Sequence, residues 1–140
     1  MRLTELTVAD VMSADPITIE EDATVGQADL EMRGGDIRHL PVRDRHDRLV
    51  GMLSNRDLLR ALGRGAGGTL RVGDVMSAEV RTVRPESRAC EATLLLLDHK
   101  IGALPVVDDR GRLVGLVTET DFVRLVHRLL GGDQLSADED

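Results

Sequence analysis

Two short segments combine a hydroxyl side chain with a carboxylate three residues later: Ser54-Asn55-Arg56-Asp57 and Thr118-Glu119-Thr120-Asp121. Each directly precedes a helical pattern, so the simplest interpretation is a capping box, in which the hydroxyl and the carboxylate bind backbone amides at the helix start. The same geometry allows a second interpretation, because exposed amides at a helix start also attract phosphate. A carboxylate one turn into the helix could then accept hydrogen bonds from both hydroxyls of a ribose. The residues alone leave both interpretations open.

The two segments belong to an internal repeat with an offset of 64 residues. Residues 8–62 and 72–126 align without a gap and are identical at 20 of 55 positions. Agreement of this extent indicates a duplicated structural unit. We therefore predict a first repeat over 7–62, a Gly-rich linker over 63–71, a second repeat over 72–128, and an acidic tail over 129–140 that is disordered.

Each repeat has the same predicted order of elements, β-α-β-β-α. The first repeat has an extended segment around Thr18, a helix over 24–33, strands over 38–43 and 49–53, and a helix from about Asn55. The second has an extended segment around Thr82, a helix over 88–99, strands over 103–107 and 113–117, and a helix from about Glu119. Polar turns over 44–47 and 108–111 predict hairpins. Because one unit cannot cover both faces of its sheet, we predict an α/β (α+β) fold in which two units pack through their sheets by pseudo-twofold symmetry.

The composition excludes several classes of function. The formal net charge is −7, so the chain lacks the basic surface of a duplex-binding protein. Phe122 is the only aromatic residue, which excludes stacking platforms for single-stranded nucleic acid. The single cysteine, Cys90, is expected to be a small core residue, and the four histidines match no metal-binding motif, so we expect no metal. Since residues 1–5 show no secretory signal and no membrane-spanning segment is visible, we expect a cytoplasmic protein without membrane partners.

No arrangement of residues typical of an enzyme is visible. Residues 63–68 satisfy the pattern Gly-x-Gly-x-x-Gly, but they follow a predicted helix, whereas the dinucleotide-binding motif must follow a strand. No nucleophile lies beside a base, and no Gly-x-Ser-x-Gly elbow is present. We therefore expect neither catalytic residues nor a catalytic cofactor.

Both repeats resemble the cystathionine-β-synthase (CBS) domain, and their tandem arrangement resembles the Bateman module. The resemblance covers about residues 7–127. It rests on Thr18 and Thr82 and on three pairs of segments: 10–12 and 74–76, 37–42 and 101–106, and 50–57 and 114–121. It implies a stand-alone regulatory module that binds an adenosine nucleotide between the two repeats. AMP, ADP and ATP are the favoured ligands, and NAD and S-adenosylmethionine are less favoured. The module would then signal to an unidentified protein by a change in conformation or assembly.

The resemblance also implies roles for individual residues. Asp57 and Asp121 would bind ribose. Phosphate contacts would come from Ser54, Thr118, Arg38, His39 and Arg56, and adenine contacts from Thr18, Thr82, Leu40, Pro41, Leu104 and Pro105. Simpler explanations exist, because threonine suits an edge strand and exposed charges are ordinarily only solvated. The second repeat has Gly102-Ala103 in place of Arg38-His39, so any difference in phosphate affinity between two sites would be expected to come from Arg38, His39 and Arg56.

The predicted helix of the second repeat contains four consecutive leucines, 94–97. At about 100° per residue they cover roughly 300° of the helix surface, which is more than one core-facing stripe. Leu95 and Leu97 align with the polar Glu31 and Arg33, so we predict that these leucines lie outside the core in a homodimer interface. Alternatively, one of them covers the sheet of the other repeat. For the whole chain, the alternatives to a ligand sensor are a ligand-independent dimerisation or scaffold module and, less favoured, a small enzyme.

Overall fold

The computed structural model describes residues 2–35, 37–65 and 69–132. After a 3₁₀ turn at Leu3–Glu5, the first repeat contains α1 (Val8–Val11), β1 (Ser13–Ala14), β2 (Ile19–Glu20), α2 (Val25–Gly35), β3 (His39–Arg43), β4 (Leu49–Ser54) and α3 (Asn55–Gly63). The second repeat contains α4 (Val72–Val75), α5 (Ala89–His99), β5 (Ala103–Val107), β6 (Leu113–Thr118) and α6 (Glu119–Leu129). The mixed α/β (α+β) fold built from two similar units is confirmed.

Some boundaries differ from those that the sequence predicts. Thr82 lies in no strand, and its neighbour Val83 makes only an isolated parallel bridge to Val106. The short elements α1, β1 and α4 are not predicted, because two to four residues show no hydrophobic period. Within the predicted linker, residues 66–68 lie outside the described residues. Within the predicted tail, Leu129 belongs to α6, and residues 133–140 lie outside the described residues.

Two three-stranded sheets form the centre of the fold, with strand orders β2-β3-β4 and β1-β6-β5. Strands β3 and β4 form one antiparallel hairpin, and β5 and β6 form the other. Strand β2 joins β3 in parallel, with Ile19 opposite Val42. The predicted hairpins are therefore confirmed.

An aspartate side chain stabilises the turn of each hairpin. Asp44 Oδ1 accepts hydrogen bonds from the backbone amides of His46 at 2.8 Å and Arg48 at 3.0 Å, an Asx-type turn. Asp108 makes the two equivalent contacts at 2.9 Å. The backbone amide of Arg48 is the largest cause of an Asp44 pKa below its ordinary value, and the backbone amide of Arg112 lowers the pKa of Asp108 in the same way.

The first segment of each repeat packs on the other repeat. Ser13 in β1 pairs with β6, and the equivalent Ser77 makes an antiparallel bridge to Met52 in β4. Val8 is fully buried in the core of the second repeat, and Val72 is fully buried in the core of the first. The repeats therefore exchange their first segments, and each core needs residues from both.

This exchange brings backbone against two glycines. A Cβ atom added at Gly51 would collide with the Met76 sulfur and lie 2.8 Å from the carbonyl oxygen of Ser77. At the equivalent Gly115, an added Cβ would lie 2.5 Å from the sulfur of Met12. Glycine at these positions permits the close approach of the exchanged segment to its sheet.

Each sheet is buried on both faces. On one face of the first sheet, Leu40 and Val42 pack with residues of α2 and α3 in a single core cluster. Pro41 points to the opposite face, because side chains alternate along a strand, yet it is also fully buried. Its equivalent Pro105 is fully buried as well.

Candidate functional site

The Ser54 segment forms a complete capping box at the start of α3. The Ser54 hydroxyl accepts a hydrogen bond from the Asp57 backbone amide at 3.1 Å, and Asp57 Oδ2 accepts one from the Ser54 amide at 3.2 Å. No hydrogen bond from another described residue reaches Asp57 Oδ1, and the residue is half-buried. The carboxylate thus caps the helix with Oδ2, and its Oδ1 is available to accept a hydrogen bond from another group.

The Thr118 segment repeats this geometry at the start of α6. The Thr118 hydroxyl accepts from the Asp121 amide at 3.2 Å, and Asp121 Oδ2 accepts from the Thr118 amide at 2.8 Å. Across the ranges that the structure covers, Asp121 Oδ1 is likewise without a hydrogen bond. The capping interpretation is therefore confirmed for both segments. Ligand binding by the same residues stays a prediction. It is compatible with capping, which occupies only one oxygen of each carboxylate.

The start of β3 lies directly beside the first box. The Asn55 amide donates a hydrogen bond to the Arg38 carbonyl oxygen at 2.8 Å, and the strand register places His39 opposite Ser54. Arg38 and Arg56 are exposed on either side of this bond. The tertiary structure therefore brings the predicted phosphate-binding residues of the first repeat together around the start of α3.

The start of β5 lies beside the second box in the same way. The Glu119 amide donates to the Gly102 carbonyl oxygen at 3.0 Å, and Ala103 lies opposite Thr118. No basic side chain occupies these positions in the second repeat, and Glu119 adds a carboxylate. Sequence reasoning missed Glu119 as a residue of the site, although its difference from Asn55 at the offset of 64 was a usable signal.

His39 connects the two boxes. Its Nε2 lies 2.8 Å from the position that a Cβ atom at Gly102 would take, and Glu119 Oε1 lies 3.4 Å from the same position. Burial is the largest cause of a His39 pKa below its ordinary value. The Glu119 and Asp57 carboxylates raise this pKa and the Arg38 guanidinium lowers it, but burial outweighs them. The imidazole is therefore predominantly neutral at pH 7, and it occupies space that only a glycine at position 102 leaves open.

The apolar residues predicted to bind adenine are fully buried. Leu40 and Leu104 belong to the two cores, so only their backbone could contact a ligand in this conformation. Pro41 and Pro105 are fully buried as well. Contact with an adenine ring through any of these four side chains would require a local rearrangement.

The two predicted adenine-binding threonines lie in different environments. Thr18 is half-buried just before β2, and its hydroxyl accepts a hydrogen bond from Arg43 Nε at 2.7 Å. It lines an open groove between β2 and α2, and Arg43 also lines this groove. Thr82 is exposed, and the residue of the second repeat that corresponds to Arg43 is Val107, which cannot donate such a hydrogen bond. In the part of the chain that the structure describes, neither threonine is hydrogen-bonded to a capping box.

The four leucines of α5 differ from the prediction at one position. Leu97 is 74% exposed, as expected, whereas Leu95 is half-buried and packs against the core of the second repeat. The other exposed leucine is Leu94, at 55%. Because residues three apart share a helix face, Leu94 and Leu97 form the exposed pair. The expectation that Leu95 lies outside the core is therefore wrong.

Three further observations concern metals, thiols and membranes. In the described ranges, no cluster of His, Cys, Asp and Glu side chains could hold a metal ion. Cys90 is exposed on α5, so its expected place in the core is wrong. Among the helices of these ranges, none has the length and apolar character needed to cross a bilayer.

A sequence model of the CBS domain matches residues 8–64 and again residues 72–128. The chain therefore belongs to the CBS domain family and carries two copies of the domain, which confirms the resemblance. Among curated proteins, the homoserine O-acetyltransferase of Methanohalophilus mahii is 36% identical over 124 residues, or 89% of this chain. The match covers 25% of that enzyme, so the chain spans about a quarter of the length of such relatives.

Solved structures of CBS domain pairs share the fold along most of the chain. The CBS domain pair of protein MJ0100, in complex with 5′-methylthioadenosine and S-adenosyl-L-methionine, is 29% identical with a TM-score of 0.81. The similarity covers 88% of this chain and 97% of that one. CBSX2 from Arabidopsis thaliana, in complex with AMP, is 31% identical with a TM-score of 0.76, over 89% of this chain and 98% of that one.

Proposed function

We propose that this chain is a regulatory module that binds an adenosine-containing ligand beside the two capping boxes. The observation that carries the proposal is the geometry of Asp57 and Asp121, each of which caps its helix with Oδ2 while Oδ1 has no partner among the described residues. The ligands of the two CBS pairs named above, AMP in one and 5′-methylthioadenosine with S-adenosyl-L-methionine in the other, all contain adenosine. Among such ligands we favour an AMP-, ADP- or ATP-like one, because the start of a helix favours a phosphate.

Each carboxylate would accept hydrogen bonds from the two hydroxyls of a ribose. The dipole of each helix favours a negative charge at its start, so a phosphate would lie beside Ser54 or Thr118. Signalling then requires that the ligand prefer one arrangement of the two repeats, because a ligand with equal affinity for two states shifts neither. The exchanged first segments and His39, which contact both repeats, are the parts of the chain that would respond to such a shift.

A regulatory role fits this chain better than a catalytic one. The aligned part covers 25% of one matching curated enzyme and 21% of another, so it is a minor fraction of each. The site described here offers carboxylates that cap helices, and no nucleophile hydrogen-bonded to a base. We infer that the chain senses a ligand and that any regulated reaction takes place in another protein or domain.

Calorimetric titration of AMP and ATP into the wild type, Asp57→Ala and Asp121→Ala tests the proposal. Each substitution should weaken binding at its site by about tenfold or more, since a hydrogen bond to a charged group contributes about 1.5–3 kcal/mol. Loss of the cap should cost only about 1 kcal/mol of stability, so both variants should remain folded. 2′-Deoxy-AMP should reproduce the loss in the wild type.

Asp10→Ala is the matched control. Asp10 accepts a hydrogen bond from the Thr7 amide at 2.8 Å in an equivalent box at α1, outside the proposed site. This variant should lose a cap and keep its AMP affinity. The ribose role is wrong if all three variants bind AMP as the wild type does.

The completeness of both capping boxes favours a second candidate, a ligand-independent dimerisation or scaffold module. In that case both boxes would serve only their helices, and the exposed Leu94 and Leu97 of α5 would form a homodimer interface. A bound ligand raises the melting temperature, so AMP and ATP at about 1 mM distinguish the candidates. No shift with either nucleotide would favour the scaffold.

A further inference from the structure

His39 lies at the contact between the two repeats. It is half-buried at the start of β3, whereas the other three histidines are exposed: His46, His99 and His127. The imidazole belongs to the first repeat and lies against Gly102 of the second. Its Nε2 is 2.8 Å and its Cε1 3.0 Å from the position that a Cβ atom at Gly102 would take. The ring therefore fills a slot between the repeats, and the slot is open because residue 102 has no side chain.

Charged groups from both repeats act on this imidazole. Glu119, the first residue of α6, places Oε1 3.4 Å from the same Cβ position, so its carboxylate shares the slot with the ring. Asp57 in α3 adds a second carboxylate, and Arg38, just before β3, adds a guanidinium group. The start of β5 adds no charge. Because the residue equivalent to His39 in the second repeat is Ala103, the chain has one such group and not two.

The slot favours the neutral form of the ring. Burial is the largest cause of a His39 pKa below its ordinary value of 6.5, and the two carboxylates offset only part of this effect. In the described ranges, neither ring nitrogen has a hydrogen-bond partner that could replace water. A protonated ring in the slot would therefore carry a poorly solvated charge, which rotation of the side chain into solvent would relieve.

We propose that His39 makes the contact between the repeats sensitive to pH: when the ring takes a proton, it leaves the slot at Gly102 and the contact opens at this point. Protonation of a histidine is a local change of charge that can shift a packed interface between two states. Because the folded state lowers the pKa of His39, the neutral ring stabilises the contact above pH 6.5, and this contribution is lost as the pH falls through the folded value. The inference needs no bound ligand, so it goes beyond the proposed function and does not depend on it.

An NMR titration of the unmodified chain, from about pH 8 until the His39 ring is protonated, tests the inference. The ring signals should titrate with a midpoint below 6.5. The nuclear Overhauser effect between His39 Hε1 and the Gly102 Hα protons should disappear over the same pH range, while the rest of the chain stays folded. A ring that keeps this contact when protonated, or that takes its proton only when the whole chain unfolds, would overturn the inference.

Gly102→Ala tests the slot directly. The added Cβ would collide with the far end of the His39 side chain, which can rotate away, so the variant should fold. Because the displaced ring is then solvated, its midpoint should rise toward 6.5. An unchanged midpoint in this variant would mean that the ring does not occupy the slot, and the inference would be wrong.

Charge variants should move the midpoint in opposite directions. Arg38→Gln should raise it and Glu119→Gln should lower it, because the guanidinium lowers the pKa of His39 and the carboxylate raises it. Glu91→Gln, an exposed position on α5, is the control and should leave the midpoint unchanged. Shifts of the same sign in the first two variants would contradict the arrangement of charges around the ring.

Amide hydrogen exchange shows whether the contact opens. The Glu119 amide donates a hydrogen bond to the Gly102 carbonyl oxygen at 3.0 Å, so its protection factor should fall as His39 is protonated. His39→Gln has no titratable ring, and its protection factor should stay constant over the same pH range. An equal fall in both proteins would assign the effect to another group and overturn the inference. None of these measurements involves a nucleotide, so such a result would leave the proposed function intact.

Discussion

Replacement of Gly51 by alanine tests the exchange of segments between the repeats. The added Cβ would collide with the Met76 sulfur and lie 2.8 Å from the Ser77 carbonyl oxygen. The Met76 side chain can rotate away, but the Ser77 carbonyl is backbone. It accepts a hydrogen bond from the Met52 amide at 2.9 Å, and the Ser77 amide donates to the Met52 carbonyl at 2.8 Å. Relief of the collision therefore requires that this pair of hydrogen bonds lengthen or open.

The expected loss of stability follows from these contacts. Insertion of a methyl group into a packed site costs about 1–3 kcal/mol, and a weakened hydrogen bond costs about 0.5–1.5 kcal/mol. We expect Gly51→Ala to lower the free energy of unfolding by about 2–3 kcal/mol. For a chain of this length, that corresponds to a fall in Tm of roughly 6–15 °C.

Urea denaturation and thermal melting measure this loss, with Gly34→Ala as the matched control. Nothing lies within 4 Å of an added Cβ at Gly34, so alanine there should stabilise α2 by about 0.5–1 kcal/mol. Gly115→Ala should behave like Gly51→Ala, because its added Cβ would lie 3.0 Å from the Ser13 carbonyl oxygen. If Gly51→Ala and Gly115→Ala both melt at the wild-type temperature, the exchanged segments do not dock as described.

Two further predictions concern acid stability and assembly. Because the folded state lowers the pKa of the Asp44 and Asp108 carboxyls, each stabilises the fold above the ordinary aspartate range and loses this contribution as the pH falls through its folded value. Asp44→Asn should therefore lower the free energy of unfolding at pH 7, and urea titrations near pH 2 should show the difference shrinking; an equal deficit at both pH values would contradict this account. Leu97→Arg should weaken the proposed homodimer in analytical ultracentrifugation without lowering Tm, since Leu97 is 74% exposed, whereas Leu95→Glu should lower Tm because Leu95 packs against the core. An unchanged dimer in Leu97→Arg would exclude α5 as the interface.

The sequence predicts most of the elements because their signals are local. The two hairpins and the long helices each depend on patterns within about ten residues. The Asp44 turn and the Ser54 box are local as well, since the interacting groups are two to four residues apart. The predicted extended segment around Thr82 does not form a strand. Only its neighbour Val83 pairs with the adjacent strand, through a single isolated bridge to Val106.

The exchange of first segments could not be predicted in this way. Ser13 pairs with Leu116, and a two-residue strand carries no hydrophobic period that would identify its partner. The four leucines show the same limit on a smaller scale. Their alignment with the first repeat correctly predicts that Leu97 is exposed, but its prediction for Leu95 is wrong. Leu95 packs against the core of the second repeat, and this contact cannot be read from the alignment.

The sequence by itself identified the candidate ligand-binding residues, whereas the tertiary structure decided which of them lie close together. A capping box forms within one helical turn, so Asp57 and Asp121 are placed by their immediate neighbours. The approach of His39 to Gly102 joins positions 63 residues apart and depends on how the two repeats pack. Packing between distant segments is selected by shape and burial across the whole core, which no local pattern encodes.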